Sequence, residues 1–473
     1  MERVLPKTLD FTDVLPLAVE SRSRRRTFFP TNGATFNSGG ANIIRIDLSA
    51  DSLLDTQHSY LKFDFKPLLQ SCGVDTAGGH AFIRRIRVEQ SGTVLEDINS
   101  YNRLMGAVVL PCQSGADHHK ERTISEHVRD AGQLAVLADG TTLAQNFEAV
   151  NVTQIGADGA DVLGIESQAL AQGCHHNSDA QIAVGQTATF CIPLNTGILN
   201  NEKLIPLMLM SAPLTIEIEL APSIQPVCWA VAGGTYDISH VRYIANLIEV
   251  GQDVAGQLRM VQEMSGGVLT LAGQTYRHFT GTIADGTGNQ VINVPARVKS
   301  MKSLFFVTAG TADAYNTYDV SYGGNTSLNE YQLKIGSVTY PPTPIQAKFG
   351  NGDPDVTGVA FKRAEPLLEL AKAWGNVGST KGLGQLRALN YGLSRTAKAG
   401  TSGSVVYCPF GMDLEAFQRV AIESGVNTAD RSLPISLVLD FATAPADNTQ
   451  CDVFVLADAL FYINGDGSMS VSV

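Results

Sequence analysis

Residues 214–220 read Leu-Thr-Ile-Glu-Ile-Glu-Leu, and residues 435–441 read Ile-Ser-Leu-Val-Leu-Asp-Phe. Every second residue of each stretch is apolar, which places Ile216 and Leu437 on apolar faces. A period of two is typical of an antiparallel strand with one buried face. The two stretches therefore predict equivalent strands, one in each half of the chain.

The sequence around these two strands also repeats. A strand-like run into a proline precedes each of them, at residues 187–194 and 405–410. An apolar run follows each of them, at residues 241–250 and 453–463. Unbroken apolar runs are typical of strands covered on both faces. Two β units of similar plan, fused in tandem, are the economical interpretation.

The upstream parts of the two units match as well. Each has a predicted hairpin, at residues 91–94 and 333–338, followed by a short amphipathic helix. The predicted helix faces are Tyr101, Leu104, Met105 and Val108 in the first unit, and Leu367, Leu370, Ala371 and Trp374 in the second. Ser100 is the expected N-cap of the first helix, and Pro366 suits the first turn of the second. Long irregular stretches, above all residues 111–184, predict large loop insertions.

Length and composition fit two β domains. The 473 residues are 44% hydrophobic and 17% charged, and the 45 glycines suit many turns. No run approaches the roughly 18 apolar residues of a membrane span. The N-terminus lacks the apolar core of a secretory signal, so we expect synthesis inside a cell without secretion by a signal peptide. The seven scattered cysteines imply no disulfide framework.

Charge is unevenly distributed. The formal charge is −12, which disfavours a main surface that grips nucleic acid. Yet four arginines, Arg22, Arg24, Arg25 and Arg26, lie within five positions near the N-terminus. One interpretation is a solvated linker between an N-terminal arm and the first β unit. The other is a docking segment for genome, membrane or a neighbouring subunit.

The sequence carries no strong catalytic signal. The Cys174-His175-His176 triplet and the His118-His119 pair offer zinc ligands, but neither has a partner at a recognised spacing, so solvated loop histidines are the better interpretation. Nucleophile-elbow and phosphate-loop motifs are absent. No catalytic residue, cofactor or metal site is predicted, and the chain is expected not to be an enzyme. A glycosidase with two facing carboxylates stays open at this point.

Several short signatures resemble the double jelly-roll major capsid proteins, a lineage that includes adenovirus hexon, tailless lipid-containing bacteriophages, polinton-like elements and nucleocytoplasmic large DNA viruses. The signatures lie at residues 29–33, 53–63, 95–102, 300–305, 331–341 and 413–425. The likeness is one of layout and covers nearly the whole chain from about Thr27.

This resemblance implies an all-β fold of two tandem eight-stranded jelly-roll β-sandwiches with short inserted helices and long loops. The implied divisions are an arm at 1–26, a first jelly roll at 27–252 and a second at 253–473. The implied function is a virion protein that forms pseudo-hexagonal homotrimers in an icosahedral capsid. Its partners would be neighbouring capsomers, minor capsid or penton proteins, and viral membrane or DNA through the arm.

Two other classes of protein remain as alternatives. The first is a β-sandwich that binds carbohydrate or processes glycans, which would expose aromatic platforms. Only Trp229 and Trp374 are available for that role. The second is a trimeric phage receptor-binding protein, which would lack the end-to-end duplication.

Overall fold

The computed structural model describes residues 21–113, 182–310, 328–347, 364–375, 408–416 and 424–473, except 76, 230, 231, 443, 446 and 447. Short pieces within 121–162 and 377–391, and residue 320, are also described. Most of the predicted loop insertion at 111–184 lies outside the described residues.

The first half of the chain is built mainly of β-strands. They are β1 (Ser21–Phe28), β2 (Thr35–Phe36), β3 (Ile43–Leu48), β4 (Leu53–Pro67), β5 (Cys72–Val74), β6 (Ile83–Gln90), β7 (Thr93–Asn99), β8 (Ala135–Val136), β9 (Thr142–Leu143), β10 (Gln154–Ile155), β11 (Asp161–Val162), β12 (Ala188–Ile192), β13 (Ile205–Pro206), β14 (Leu214–Leu220), β15 (Val227–Trp229) and β16 (Tyr236–Val250). Helical turns α1 (Tyr101–Arg103) and α2 (Leu110–Gln113) flank a π-helical turn at Leu104–Val109.

The second half of the chain is also built mainly of β-strands. Helix α3 (Gln252–Met264) joins the halves, and α4 (Ala364–Ala373) lies within the second. The strands are β17 (Val268–Ile283), β18 (Asn289–Asn293), β19 (Met301–Gly310), β20 (Leu328–Ile335), β21 (Val338–Gln346), β22 (Phe410–Asp413), β23 (Ile435–Phe441), β24 (Thr449–Asn464) and β25 (Met469–Ser472).

Both halves have the same strand topology. The first half pairs its main strands as β1-β16-β4-β12 in one sheet and β3-β14-β6-β7 in the other. The second half pairs them as β17-β24-β19-β22 and β18-β23-β20-β21. Numbered one to eight within each unit, both follow the orders 1-8-3-6 and 2-7-4-5. This interleaving confirms two eight-stranded antiparallel sandwiches, and the helices follow the fifth strand in each.

The strands that carry the alternating pattern occupy equivalent places. β14 and β23 are both seventh strands, and Ile216 and Leu437 are fully buried. The third and sixth strands also carry matching aromatic pairs. The Phe63 and Phe190 rings stack at 5.2 Å in the first unit, and the Phe306 and Phe410 rings at 4.9 Å in the second.

The first helical segment differs from its prediction. All its residues from Tyr101 to Cys112 are buried, the predicted face included, so no face of it is exposed to solvent. It packs against strands of both units, β6 and β19. Ser100 is not a side-chain cap, because its φ of 50° is left-handed and its side chain makes no capping bond. In α4 the predicted face is confirmed, since Leu370 and Ala371 are buried and Leu367 and Trp374 pack against the core.

Both predicted domain boundaries fall within or next to observed elements. β1 begins at Ser21 and pairs with β16 along its whole length, so the arm boundary drawn at 26/27 falls inside a strand of the first sheet. No apolar alternation marks this edge strand, because serines and arginines occupy most of it. The second boundary, at 252/253, falls at the start of α3.

Candidate interaction surfaces

The four arginines predicted to interact with partners lie on β1, an edge strand of the first sheet. Arg22, Arg24, Arg25 and Arg26 are all exposed, and we call them the β1 arginine strip. Strand alternation puts Arg25 on the opposite face from the other three. Charged side chains on an edge strand also oppose uncontrolled pairing with another sheet.

The strip is only partly neutralised. Arg24 Nη1 lies 3.1 Å from Glu249 Oε1, Arg25 Nη2 donates to the Tyr60 hydroxyl at 3.3 Å, and the Arg26 guanidinium lies 4.9 Å from the centre of the Phe28 ring. Within the part of the chain that the structure describes, Glu249 is the only carboxylate that pairs with the strip. The strip therefore keeps a net positive charge that faces solvent.

Further basic side chains lie on the outer face of the same sheet. Arg242, Lys62 and Cys191 are register partners across β16, β4 and β12. Burial raises the pKa of the Cys191 thiol, and Lys62, Arg242 and Arg25 act against that shift. Asp64, the nearby carboxylate, is hydrogen-bonded to Thr189 at 2.7 Å. Sequence reasoning missed this row, although the alternation of polar residues along β4 contained the signal.

A buried ionic cluster joins the two units. Arg103 Nε lies 3.2 Å from Asp452 Oδ2, and His278 Nε2 lies 3.0 Å from Asp452 Oδ1. Arg103 Nη1 also donates to the Val320 carbonyl at 2.9 Å. Burial alone would raise the pKa of Asp452, but the His278 contact and the Arg103 charge outweigh it and lower that pKa. The cluster is structural, because both oxygens of the Asp452 carboxylate are engaged away from solvent.

Another buried carboxylate, that of Glu96, holds a loop of the first unit against the second unit. Glu96 accepts the N–H groups of Gly197 and Ile198, both at 2.8 Å. Burial raises the pKa of Glu96, and these bonds, with those of Thr196 and Thr275, act against the rise. Asn201 of the same loop donates to the Ala272 carbonyl at 2.9 Å. The junction is thus held by directed hydrogen bonds as well as apolar contact.

No known sequence family and no curated protein matches the chain. Solved structures match nearly all of it: the PBCV-1 virus capsid has a TM-score of 0.56 at 10% identity, covering 98% of this chain and 99% of that one. The Faustovirus major capsid protein gives 0.54 at 8% identity, covering 98% and 93%. The mavirus major capsid protein gives 0.50 at 9% identity, covering 100% and 96%. This chain is a double jelly roll.

Neither tryptophan of the double jelly roll forms an exposed aromatic platform. Trp229 is fully buried and its Nε1 donates to the Ser223 carbonyl at 2.7 Å. Trp374 is half-buried and stacks on Phe305 with ring centres 4.6 Å apart. It borders a cleft of about 730 Å³ between the rolls, where Lys302 pairs with Glu415 at 3.0 Å. The carbohydrate-binding alternative loses its main support.

The predicted metal-ligand candidates lie elsewhere. Both the Cys174-His175-His176 triplet and the His118-His119 pair fall outside the described residues. Among the residues that the structure does describe, no three His, Cys, Asp or Glu side chains converge in a metal-binding arrangement. In that same part of the chain, no helix has the length and apolar character needed to span a bilayer.

Proposed function

We propose that this double jelly roll is the major capsid protein of an icosahedral virus shell. The observation that carries the proposal is the extent of the structural matches, which cover at least 98% of this chain and at least 93% of three capsid chains. A receptor-binding protein built on one sandwich would match only in part. The chain would act in the virion and would not be an enzyme.

The tile of this shell is a homotrimer in which six jelly rolls approximate a hexagon. The polar junction supports this proposal because a rigid tile needs the two rolls of one chain to keep a fixed arrangement. Gln90 Nε2 donates to the Gly467 carbonyl at 3.0 Å, which adds a further bond between first-roll and second-roll residues. Cyclic assembly closes after three copies and leaves the rim of each tile for neighbouring capsomers and for minor capsid or penton proteins.

The β1 arginine strip would contact phosphate groups of the genome or of a membrane surface. Three of its members lack a carboxylate partner among the described residues, although the chain as a whole is acidic. The basic row of Arg242 and Lys62 extends the charge of Arg25 over the outer face of the sheet. Guanidinium groups suit phosphate because their forked N–H groups bind two oxygens at once.

Assembly tests the main proposal. Light scattering at micromolar concentration should give about 150 kDa, three times the 50.4 kDa chain. The interfaces of such a stable trimer should each bury more than roughly 2,000 Å². Negative-stain microscopy should show hexagonal particles or closed shells. A protein that stays monomeric under conditions where it is folded contradicts the proposal. Saturable binding to a glycan array by that monomer would favour the carbohydrate-binding alternative.

A further inference from the structure

A small cleft at the junction of the two rolls carries an excess of positive charge. Its volume is about 370 Å³, and its lining includes Asp97 and Asn99 from β7 of the first roll. Arg277 from β17 and Arg297 from the segment after β18 line it from the second roll. Both arginines are half-buried. The cleft therefore belongs to both units and places two guanidinium groups in partial isolation from water.

Among the described residues, the two guanidinium groups have no carboxylate partner. Within the described residues, Arg277 makes no ion pair or side-chain hydrogen bond, and Arg297 makes one hydrogen bond, from Nη1 to the Thr428 carbonyl at 3.4 Å. Asp430 feels the charge of Arg297, but its pKa is lowered mainly by the N–H and hydroxyl of Ser432. Neither arginine is neutralised by these contacts.

The acidic groups at the wall of the cleft are already engaged. Asp97 accepts two bonds from Arg85, from Nε at 2.7 Å and from Nη2 at 2.5 Å. His278, which also lines the cleft, is held through Nε2 by Asp452, and Asp452 pairs in turn with Arg103. Each of these carboxylates has its own cation, so no carboxylate of the described residues compensates the charge of Arg277 and Arg297.

We propose that the cleft binds a phosphate-class oxyanion through Arg277 and Arg297. Partly desolvated cations are costly without a counter-charge, and guanidinium groups bind tetrahedral oxyanions through paired, charge-assisted N–H bonds. Asn99 of the first roll also lines the cleft and contributes an amide. The bound ion bridges the rolls, because its ligands come from both, and so it stabilises their packing. This inference rests on the cleft residues alone and does not depend on the proposed capsid function.

Inorganic phosphate is the probe for a direct test. Titration calorimetry of the intact protein, with chloride matching the ionic strength, should show saturable phosphate binding. The R277Q/R297Q variant should bind phosphate at least tenfold more weakly. A matched control, R259Q/K334Q, removes two exposed positive charges that do not line the cleft and should bind as the parent does. Equal affinity in R277Q/R297Q and the parent would overturn the proposal.

Thermal unfolding provides a second readout. Phosphate raises melting temperatures of many proteins without a site because it is excluded from their surfaces. A site adds a saturable increase that follows the occupancy of the native state. The parent and R259Q/K334Q should show this saturable increase in melting temperature. R277Q/R297Q should show only the non-saturating increase that comes from exclusion of phosphate from the surface. If the double variant fails to fold, R277Q alone is used, with several-fold weaker binding expected. Identical saturable shifts in the parent and either cleft variant refute the site.

Discussion

Removal of Arg103 tests how firmly the two rolls are joined. The substitution Arg103→Met keeps much of the side-chain volume but leaves Asp452 buried without its principal cation. Both side chains are at most 6% exposed, and breaking such a pair costs about 3–5 kcal/mol. His278 still contacts Asp452 at 3.0 Å, which favours the lower end of that range. The lost bond to the Val320 carbonyl adds about 1 kcal/mol, so we expect a total loss of about 4 kcal/mol.

Urea unfolding monitored by tryptophan fluorescence and by circular dichroism measures this loss in the free energy of unfolding, and agreement of the two probes checks that one transition is followed. Adding Asp452→Asn to the Arg103→Met protein removes the unpaired charge and should recover about half of the loss. The control is Arg84→Met, which breaks an exposed pair with Glu219 and should cost no more than about 1 kcal/mol.

The same cluster predicts a response to acid. Because the folded-state pKa of Asp452 is lowered, its contribution to stability is fully present above the unfolded value of about 3.9 and is lost as pH falls through the folded pKa. The Arg103→Met protein should lose less stability over that acid range than the parent. An Arg103→Met protein within about 1 kcal/mol of the parent, or one that Asp452→Asn fails to improve, would refute this account of the junction.

Three other predictions concern the strands, Glu96 and the arginine strip. Either Ile216→Asp or Leu437→Asp should abolish soluble expression because an unpaired buried carboxylate costs several kcal/mol. The control Val438→Asp, on the outward face, should express in soluble form. Soluble expression of both core variants would mean that the strand faces are misassigned. The parent should lose stability as pH rises above about 4.3, and Glu96→Gln should remove that loss. Urea unfolding midpoints of both proteins across pH measure it. Parallel midpoint curves for the two proteins would contradict the raised pKa of Glu96. Replacing all four arginines of the β1 strip by glutamine should reduce the slope of log affinity for duplex DNA against log salt by roughly 3 to 4; an unchanged slope would leave the strip as edge protection.

The tandem plan of the fold was predictable because it depends on apolar periodicity. β14 and β23 were both identified from alternation, and burial of Ile216 and Leu437 confirms their faces. The hairpins at residues 91–94 and 333–338 also form as predicted, between β6 and β7 and between β20 and β21. These features are local in sequence, so a single stretch carries the whole signal.

Features that depend on tertiary contact were not predictable. β1 has no apolar alternation, and its strand conformation comes from pairing with β16, more than two hundred residues later in the chain. Deleting residues 1–26 would therefore remove most of a paired strand, and a deletion that spares the sheet must stop before Ser21. The junction cluster was also missed, since Arg103 and Asp452 are separated by 349 positions.

The eighth strand of each roll has a consequence for how the chain folds. β24 lies between β17 and β19, and its partner β17 begins nearly two hundred residues earlier. The second roll therefore cannot close its larger sheet until residues 449–464 have been synthesised. Until then, β17 and β19 present unpaired edges in the growing polypeptide, and such edges are prone to misassociation. Sheet closure of this kind is slow because the pairings of β24 with β17 and β19 join segments far apart in the sequence. Completion of β24 is thus a natural checkpoint that separates folding of the subunit from any association between finished copies.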